Sequence, residues 1–125
     1  QLSVEELACL VRGEGMCSHK VTPGVASAFG GVADSLLEKG IPLASTADGP
    51  SGIRMDNGAK ATLLPSGTLL ASSWDPILVE RLYVMEGKEL LRNGIDLLLG
   101  PGMNIQRHPL NVILSTFPKI RCSPG

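Results

Sequence analysis

Asp48 and Arg54 are the residues whose types and spacing most directly suggest chemistry. Asp48 follows a predicted strand over residues 41–47 and opens the turn-forming sequence Asp-Gly-Pro-Ser-Gly. A carboxylate there could accept hydrogen bonds from two neighbouring hydroxyl groups, the donor pattern of a sugar. Arg54 could brace that carboxylate or hold a second hydroxyl. The alternatives are an Asx turn for Asp48 and a solvated loop charge for Arg54.

A second group of polar residues follows another predicted strand. Residues 95–99 form a nearly continuous apolar run, which is typical of a strand buried on both faces of a parallel sheet. Asn104, Arg107 and His108 come soon after it. Because loops at the carboxyl ends of parallel strands carry the site in α/β folds, we expect these side chains near Asp48. The alternative is a hydrogen-bond network within their own loop.

Two helices that would position these loops have clear start signals. Ser3 and Glu6 form a capping-box pattern that predicts a helix over residues 3–12. Asp75 and Pro76 predict the start of a longer helix over 76–93. Its expected apolar stripe consists of Leu78, Leu82, Met85 and Leu90.

The remaining segments are shorter and less regular. Residues 33–39 predict a short helix, residues 13–31 an irregular loop, and residues 68–72 a β-compatible stretch. The order strand, long helix, strand forms a βαβ unit. The sequence therefore predicts an α/β fold.

Composition excludes several classes of function. The chain has 125 residues, of which 43% are hydrophobic and 18% charged, and a net charge of −1. We therefore expect a folded domain that binds neither nucleic acid nor a membrane. The three cysteines lack the spacing of a metal or redox site, which favours reduced thiols and a cytoplasmic protein without metal or cofactor. The oligomeric state stays unknown.

Four linked segments resemble the N-terminal part of the barrel domain of glycoside hydrolase family 3, which contains β-glucosidases. They are Asp48–Arg54, Leu64–Thr68, Ser73–Pro76 and Leu98–Ile105. The resemblance covers residues 1–110. It implies an incomplete (β/α)8 TIM barrel with the first βα units only, since a complete barrel needs about 250 residues.

The resemblance also implies a function. The family's retaining enzymes use two carboxylates roughly 5 Å apart, and both fall outside this stretch, so no residue here is assigned as catalytic. Asp48 falls on the family's sugar-holding aspartate and Arg54 on its motif arginine, with Asn104, Arg107 and His108 as further substrate-binding candidates.

The implied substrate is a small carbohydrate with a terminal glucose-like residue, and we expect the chain by itself to be inactive. The alternative is a noncatalytic carbohydrate-binding or interaction fragment that uses the rim around Asp48. The low aromatic content of 3% argues against it, because sugar-binding modules usually rely on stacking rings.

Residues 111–125 depart from the family pattern. Read one base out of frame with permissively chosen codons, they can decode as Arg-His-Phe-Glu-Tyr-Phe-Ser-Glu-Asp-Pro-Leu-Leu-Ser-Gly, close to the family's own segment. We expect a divergent tail produced by a frameshift near Asn111. The alternative is a genuine divergent loop. Because the chain begins at Gln1, we also expect a processed or longer parent protein.

Overall fold

The computed structural model describes residues 1–16 and 18–102. The described chain combines four helices with a three-stranded sheet, which confirms the α/β prediction. Within this part of the chain, no helix is long and apolar enough to cross a membrane. In chain order, the elements are α1 (Val4–Arg12), β1 (Ser27–Gly30), α2 (Asp34–Glu38), β2 (Leu43–Asp48), α3 (Gly67–Ser72), α4 (Pro76–Arg92) and β3 (Leu97–Leu99).

The predicted capping box starts α1. The Ser3 hydroxyl accepts a hydrogen bond from the Glu6 amide at 3.2 Å, and the Glu6 carboxylate accepts one from the Ser3 amide at 2.7 Å. The Lys39 ammonium group also pairs with Glu6, which ties α1 to the end of α2. These donors, of which Lys39 contributes most, favour the ionised carboxylate and lower the pKa of Glu6 to about 2.

The sheet is mixed, with the strand order β1-β2-β3. β1 is antiparallel to β2, and Ser27 lies opposite Thr46 with their hydroxyl oxygens 2.6 Å apart. β3 is parallel to β2, and Thr46 lies opposite Leu97. The prediction of an irregular loop over residues 13–31 is therefore wrong at Ser27–Gly30. This strand forms because its residues pair with β2, whereas its own short sequence does not predict a strand.

The connection between the two parallel strands contains α3 and α4. Asp75 caps α4 by accepting hydrogen bonds from the amides of Ile77 and Leu78 at 3.1 and 3.0 Å, as predicted. Residues 68–72, predicted as β-compatible, instead belong to α3, in which the Leu70 amide donates to the Ser66 carbonyl at 3.0 Å. The βαβ unit is thus present, but its first strand is β2.

Hydrogen bonds between β2 and the start of β3 set the strand register. The fully buried Ser45 donates from its hydroxyl to the Gly94 carbonyl and to Asp96 Oδ2, both at 3.1 Å. Asp96 Oδ2 also accepts from the Ser45 amide at 2.8 Å. Each buried polar group of Ser45 therefore has a hydrogen-bond partner, as is usual for buried polar groups in proteins.

The core lies between the sheet, the loop of residues 49–66 that joins β2 to α3, and α4. Its buried cluster contains Val25, Ala47, Ile53 and Ile95, with Leu90 of α4 packed against it. Two sequence expectations about burial are wrong. Leu97 and Leu99 of β3 are 46% and 44% exposed, so this strand is not buried on both faces. Leu78 and Met85 of α4 are similarly exposed, and Glu86 is the residue of α4 that is buried.

Candidate functional site

Asp48 is the last residue of β2, the central strand of the sheet. It lies opposite Leu99 of β3, so its position is fixed by the parallel pair. Its main-chain carbonyl accepts a hydrogen bond from the Arg54 amide at 2.7 Å. An Asx turn would need an amide at residue 50, but Pro50 has none. No described residue donates a hydrogen bond to the Asp48 carboxylate, and Asp48 is half-buried.

The loop of residues 49–66, here called the β2–α3 loop, is held close to Asp48 by main-chain contacts. The Leu64 amide donates to the Ser51 carbonyl at 3.0 Å, so the two arms of the loop run side by side. Gly52 has a φ of 102°, and a Cβ atom there would lie 2.2 Å from the Thr62 carbonyl oxygen. Only glycine satisfies both the backbone conformation and this close approach.

Glu89 of α4 anchors the far arm of the same loop. Its Oε1 accepts hydrogen bonds from the Thr62 amide at 3.0 Å and from the Thr62 hydroxyl at 3.1 Å. The long helix therefore holds the loop that follows Asp48. Sequence reasoning did not assign this role to Glu89, because no local spacing links it to Thr62 over 27 residues.

The Arg54 side chain does not reach Asp48. Its Nε donates to Asp56 Oδ1 at 2.9 Å, and the side chain is 67% exposed. The Arg54 side chain therefore stabilises the loop at Asp56, while its main-chain amide binds the Asp48 carbonyl at the end of β2. The guanidinium group has four further N–H donors, and its exposure lets a ligand reach them.

Gly49 lies close both to β3 and to the buried Glu86 of α4. The Gly49 amide donates to the Leu99 carbonyl at 3.3 Å. A Cβ atom on Gly49 would lie 2.2 Å from Leu98 Cδ1 and 3.4 Å from Glu86 Oε1. Glu86 thus lies directly behind the residue that follows Asp48. Sequence reasoning missed Glu86 as well.

The other candidates lie outside the described residues. Asn104, Arg107 and His108, together with the tail of residues 111–125, are in the part of the chain that the structure does not describe. Within residues 1–16 and 18–102, no three histidine, cysteine, aspartate or glutamate side chains are grouped to hold a metal ion. The site that can be built is therefore Asp48, Arg54 and the β2–α3 loop.

The chain is similar in sequence to proteins named β-glucosidases. A β-glucosidase from Ruminococcus albus is 59% identical over 111 residues, covering 89% of this chain and 12% of that protein. β-Glucosidase A from Butyrivibrio fibrisolvens is 37% identical over 112 residues, covering 88% and 12% respectively. Most of the chain is β-glucosidase-like in sequence.

The fold comparison agrees. The crystal structure of a β-glucosidase from Paenibacillus barengoltzii matches with a TM-score of 0.83 and 76% identity, covering 89% of this chain and 12% of that one. The chain thus spans about 12% of the length of the β-glucosidases it resembles. No protein-family model matches the chain.

Proposed function

We propose that residues 1–110 form the first βα units of an incomplete (β/α)8 barrel of a glycoside hydrolase family 3 β-glucosidase. The observation that carries this proposal is the similarity to β-glucosidases, at 59% identity in sequence and a TM-score of 0.83 in structure. The parallel β2–α4–β3 unit supports it, because that unit is the repeat from which such a barrel is built. The whole enzyme is a retaining O-glycosyl hydrolase that acts on terminal glucose-like residues.

The β-glucosidase-like region contributes substrate binding. Asp48 accepts hydrogen bonds from two adjacent sugar hydroxyls. Its carboxylate lies at a strand end and has no hydrogen-bond donor among the described residues, which supports this role. Arg54 donates to a further hydroxyl from its exposed guanidinium group. Asn104, Arg107 and His108 complete the substrate-binding set on the loop after β3.

The nucleophile and the acid/base of the retaining mechanism belong to parts of the enzyme that this chain does not contain. Two carboxylates roughly 5 Å apart across the glycosidic bond are required. The chain by itself therefore binds without cleaving. We also propose that residues 111–125 are a frameshifted tail. If no neighbouring reading frame of the coding DNA encodes the family segment, this proposal is contradicted.

A chimaera tests the proposed function. The segment of the Paenibacillus barengoltzii β-glucosidase that matches residues 1–102 is replaced by this chain's own residues, and hydrolysis of an aryl β-glucoside is measured. We expect the chimaera to be active, because the two sequences are 76% identical. Asp48→Ala in the chimaera should lower kcat/KM about a hundredfold or more, the loss expected for two hydrogen bonds to a charged group.

Matched controls make the result specific. Glu80→Gln removes an exposed carboxylate from α4 and should leave kcat/KM unchanged. An Asp48→Ala chimaera with unaltered kcat/KM would contradict the substrate-binding role. The unaltered 125-residue chain should show no hydrolysis above background. Glucose binding by that chain, lost in Asp48→Ala, is expected both from this proposal and from the noncatalytic carbohydrate-binding alternative, so hydrolysis by the chimaera is the result that separates them.

A further inference from the structure

Glu86 is a buried carboxyl group that has no partner among residues 1–16 and 18–102. Its relative exposure is 3%, and neither side-chain oxygen accepts a hydrogen bond from any of these described residues. The Tyr83 hydroxyl, one turn earlier on α4, is also buried and has no partner in the described part of the chain. Burial of unpartnered polar groups is costly, so a neutral leucine or alanine would be the cheaper occupant of this position.

The position of Glu86 connects it to the proposed sugar site. Its Oε1 is 3.4 Å from the place where a Cβ atom of Gly49 would be, and Gly49 directly follows Asp48. Leu98 of β3 approaches the same point to 2.2 Å. Leu98 of β3 and the Glu86 carboxyl group therefore both lie at the face of Gly49 where a side chain would be.

We propose that Glu86 is a positioning residue for Asp48, because its carboxyl group packs behind the Gly49 backbone and sets the end of β2 from the helix side. The sugar-binding consequence rests on the proposed function, whereas the link from Glu86 to Gly49 does not. A shift of the carboxyl group moves Gly49, and Asp48 is joined to it by one peptide unit.

The charge on Glu86 controls this contact. Among the described residues, Tyr83 and Glu89 on α4 interact electrostatically with Glu86. Asp48 precedes Gly49 at the end of β2, and Leu98 of β3 is apolar. Burial, with a smaller contribution from the negative charge of Glu89, raises the pKa of Glu86 to about 7. The neutral acid fits the packed interior, and the carboxylate demands water. Gly49 should therefore move as pH rises through about 7.

Amide NMR on the full 125-residue chain tests the inference without requiring sugar binding. We expect the Gly49 amide resonance to titrate with a midpoint near 7 and to lose this titration in Glu86→Gln. Glu80→Gln, on the exposed face of the same helix, is the matched control and should keep it. A Gly49 amide that does not titrate in the unaltered chain, or titrates equally in Glu86→Gln, would overturn the inference.

Glucose titrations then separate the inference from the proposed function. Affinity should be about threefold or more weaker at about pH 9 than at about pH 5, the loss expected when one sugar hydrogen bond is misplaced. In Glu86→Gln, affinity should be independent of pH. If neither the unaltered chain nor Glu86→Gln binds glucose, the proposed sugar site of this chain is refuted. The titration of the Gly49 amide still tests the role of Glu86 in that case. Glucose binding with the same pH dependence in Glu86→Gln would refute the positioning role alone.

Discussion

Gly52 and Gly58 provide a matched pair for testing how the β2–α3 loop is held. Both glycines have a positive φ, 102° and 82° respectively. An added Cβ on Gly52 would lie 2.2 Å from the Thr62 carbonyl oxygen, whereas on Gly58 it would meet nothing within 4 Å. Alanine at either position therefore introduces the same kind of backbone strain, but only Gly52→Ala forces the two arms of the loop apart.

The expected magnitudes follow from these two effects. A left-handed alanine costs about 1 kcal/mol at either position. The change in unfolded-state entropy on replacing glycine is also common to both and cancels in the comparison. The collision with a main-chain oxygen adds about 1–3 kcal/mol to Gly52→Ala alone. The two variants should therefore differ in free energy of unfolding by about 1–3 kcal/mol.

Urea unfolding followed by far-ultraviolet circular dichroism measures this difference. With a slope of about 1–2 kcal/mol per molar urea, the midpoint of Gly52→Ala should lie about 0.5–3 M below that of Gly58→Ala. Equal midpoints would refute the side-by-side course of the loop arms.

Removal of the α4 cap by Asp75→Ala should destabilise the chain by about 1 kcal/mol in urea unfolding, whereas Asp75→Asn should cost only a few tenths. Equal losses would contradict the capping bonds. Because the pKa of Glu6 is lowered from 4.5 to about 2, its contribution is present above pH 4.5 and should be lost as pH falls towards 2. Acid titration of Glu6→Gln should lack this loss, and an unchanged acid profile would exclude the pairing with Lys39. Trp74 is 92% exposed with a φ of 53°. Trp74→Gly should therefore raise stability by up to about 1 kcal/mol relative to Trp74→Ala, which keeps the strain; a less stable glycine variant would argue against strain there.

Local signals in the sequence predicted the elements whose geometry is set locally. The capping pair at Ser3 and Glu6 and the Asp75-Pro76 helix start correctly located α1 and α4, because each signal acts within one helical turn. Elements that depend on distant partners were missed. β1 exists because its residues pair with β2, from Ser27 opposite Thr46 onwards, and no spacing within residues 13–31 reveals that pairing.

The error at residues 68–72 has a different origin. The segment Thr-Leu-Leu-Ala-Ser is too short for hydrophobic periodicity to separate a strand from a helix. The structure resolves the ambiguity through the Leu70–Ser66 main-chain hydrogen bond, which closes a helical turn. A strand there would have placed another edge beside β2, which pairs instead with β1 and β3.

The burial of Glu86 could have been predicted from the four-residue spacing of apolar residues along α4. Leu82, Glu86 and Leu90 are spaced four residues apart and therefore share one face of α4. Leu90 packs against the core and Glu86 is 3% exposed, so this row faces the interior. The predicted stripe included Met85, which is 54% exposed, and thereby concealed the glutamate. A single acidic residue in an otherwise apolar i, i+4 row is a signal of a buried carboxyl group. In this chain, that row passes behind Gly49, next to the residue that the proposed sugar site depends on most.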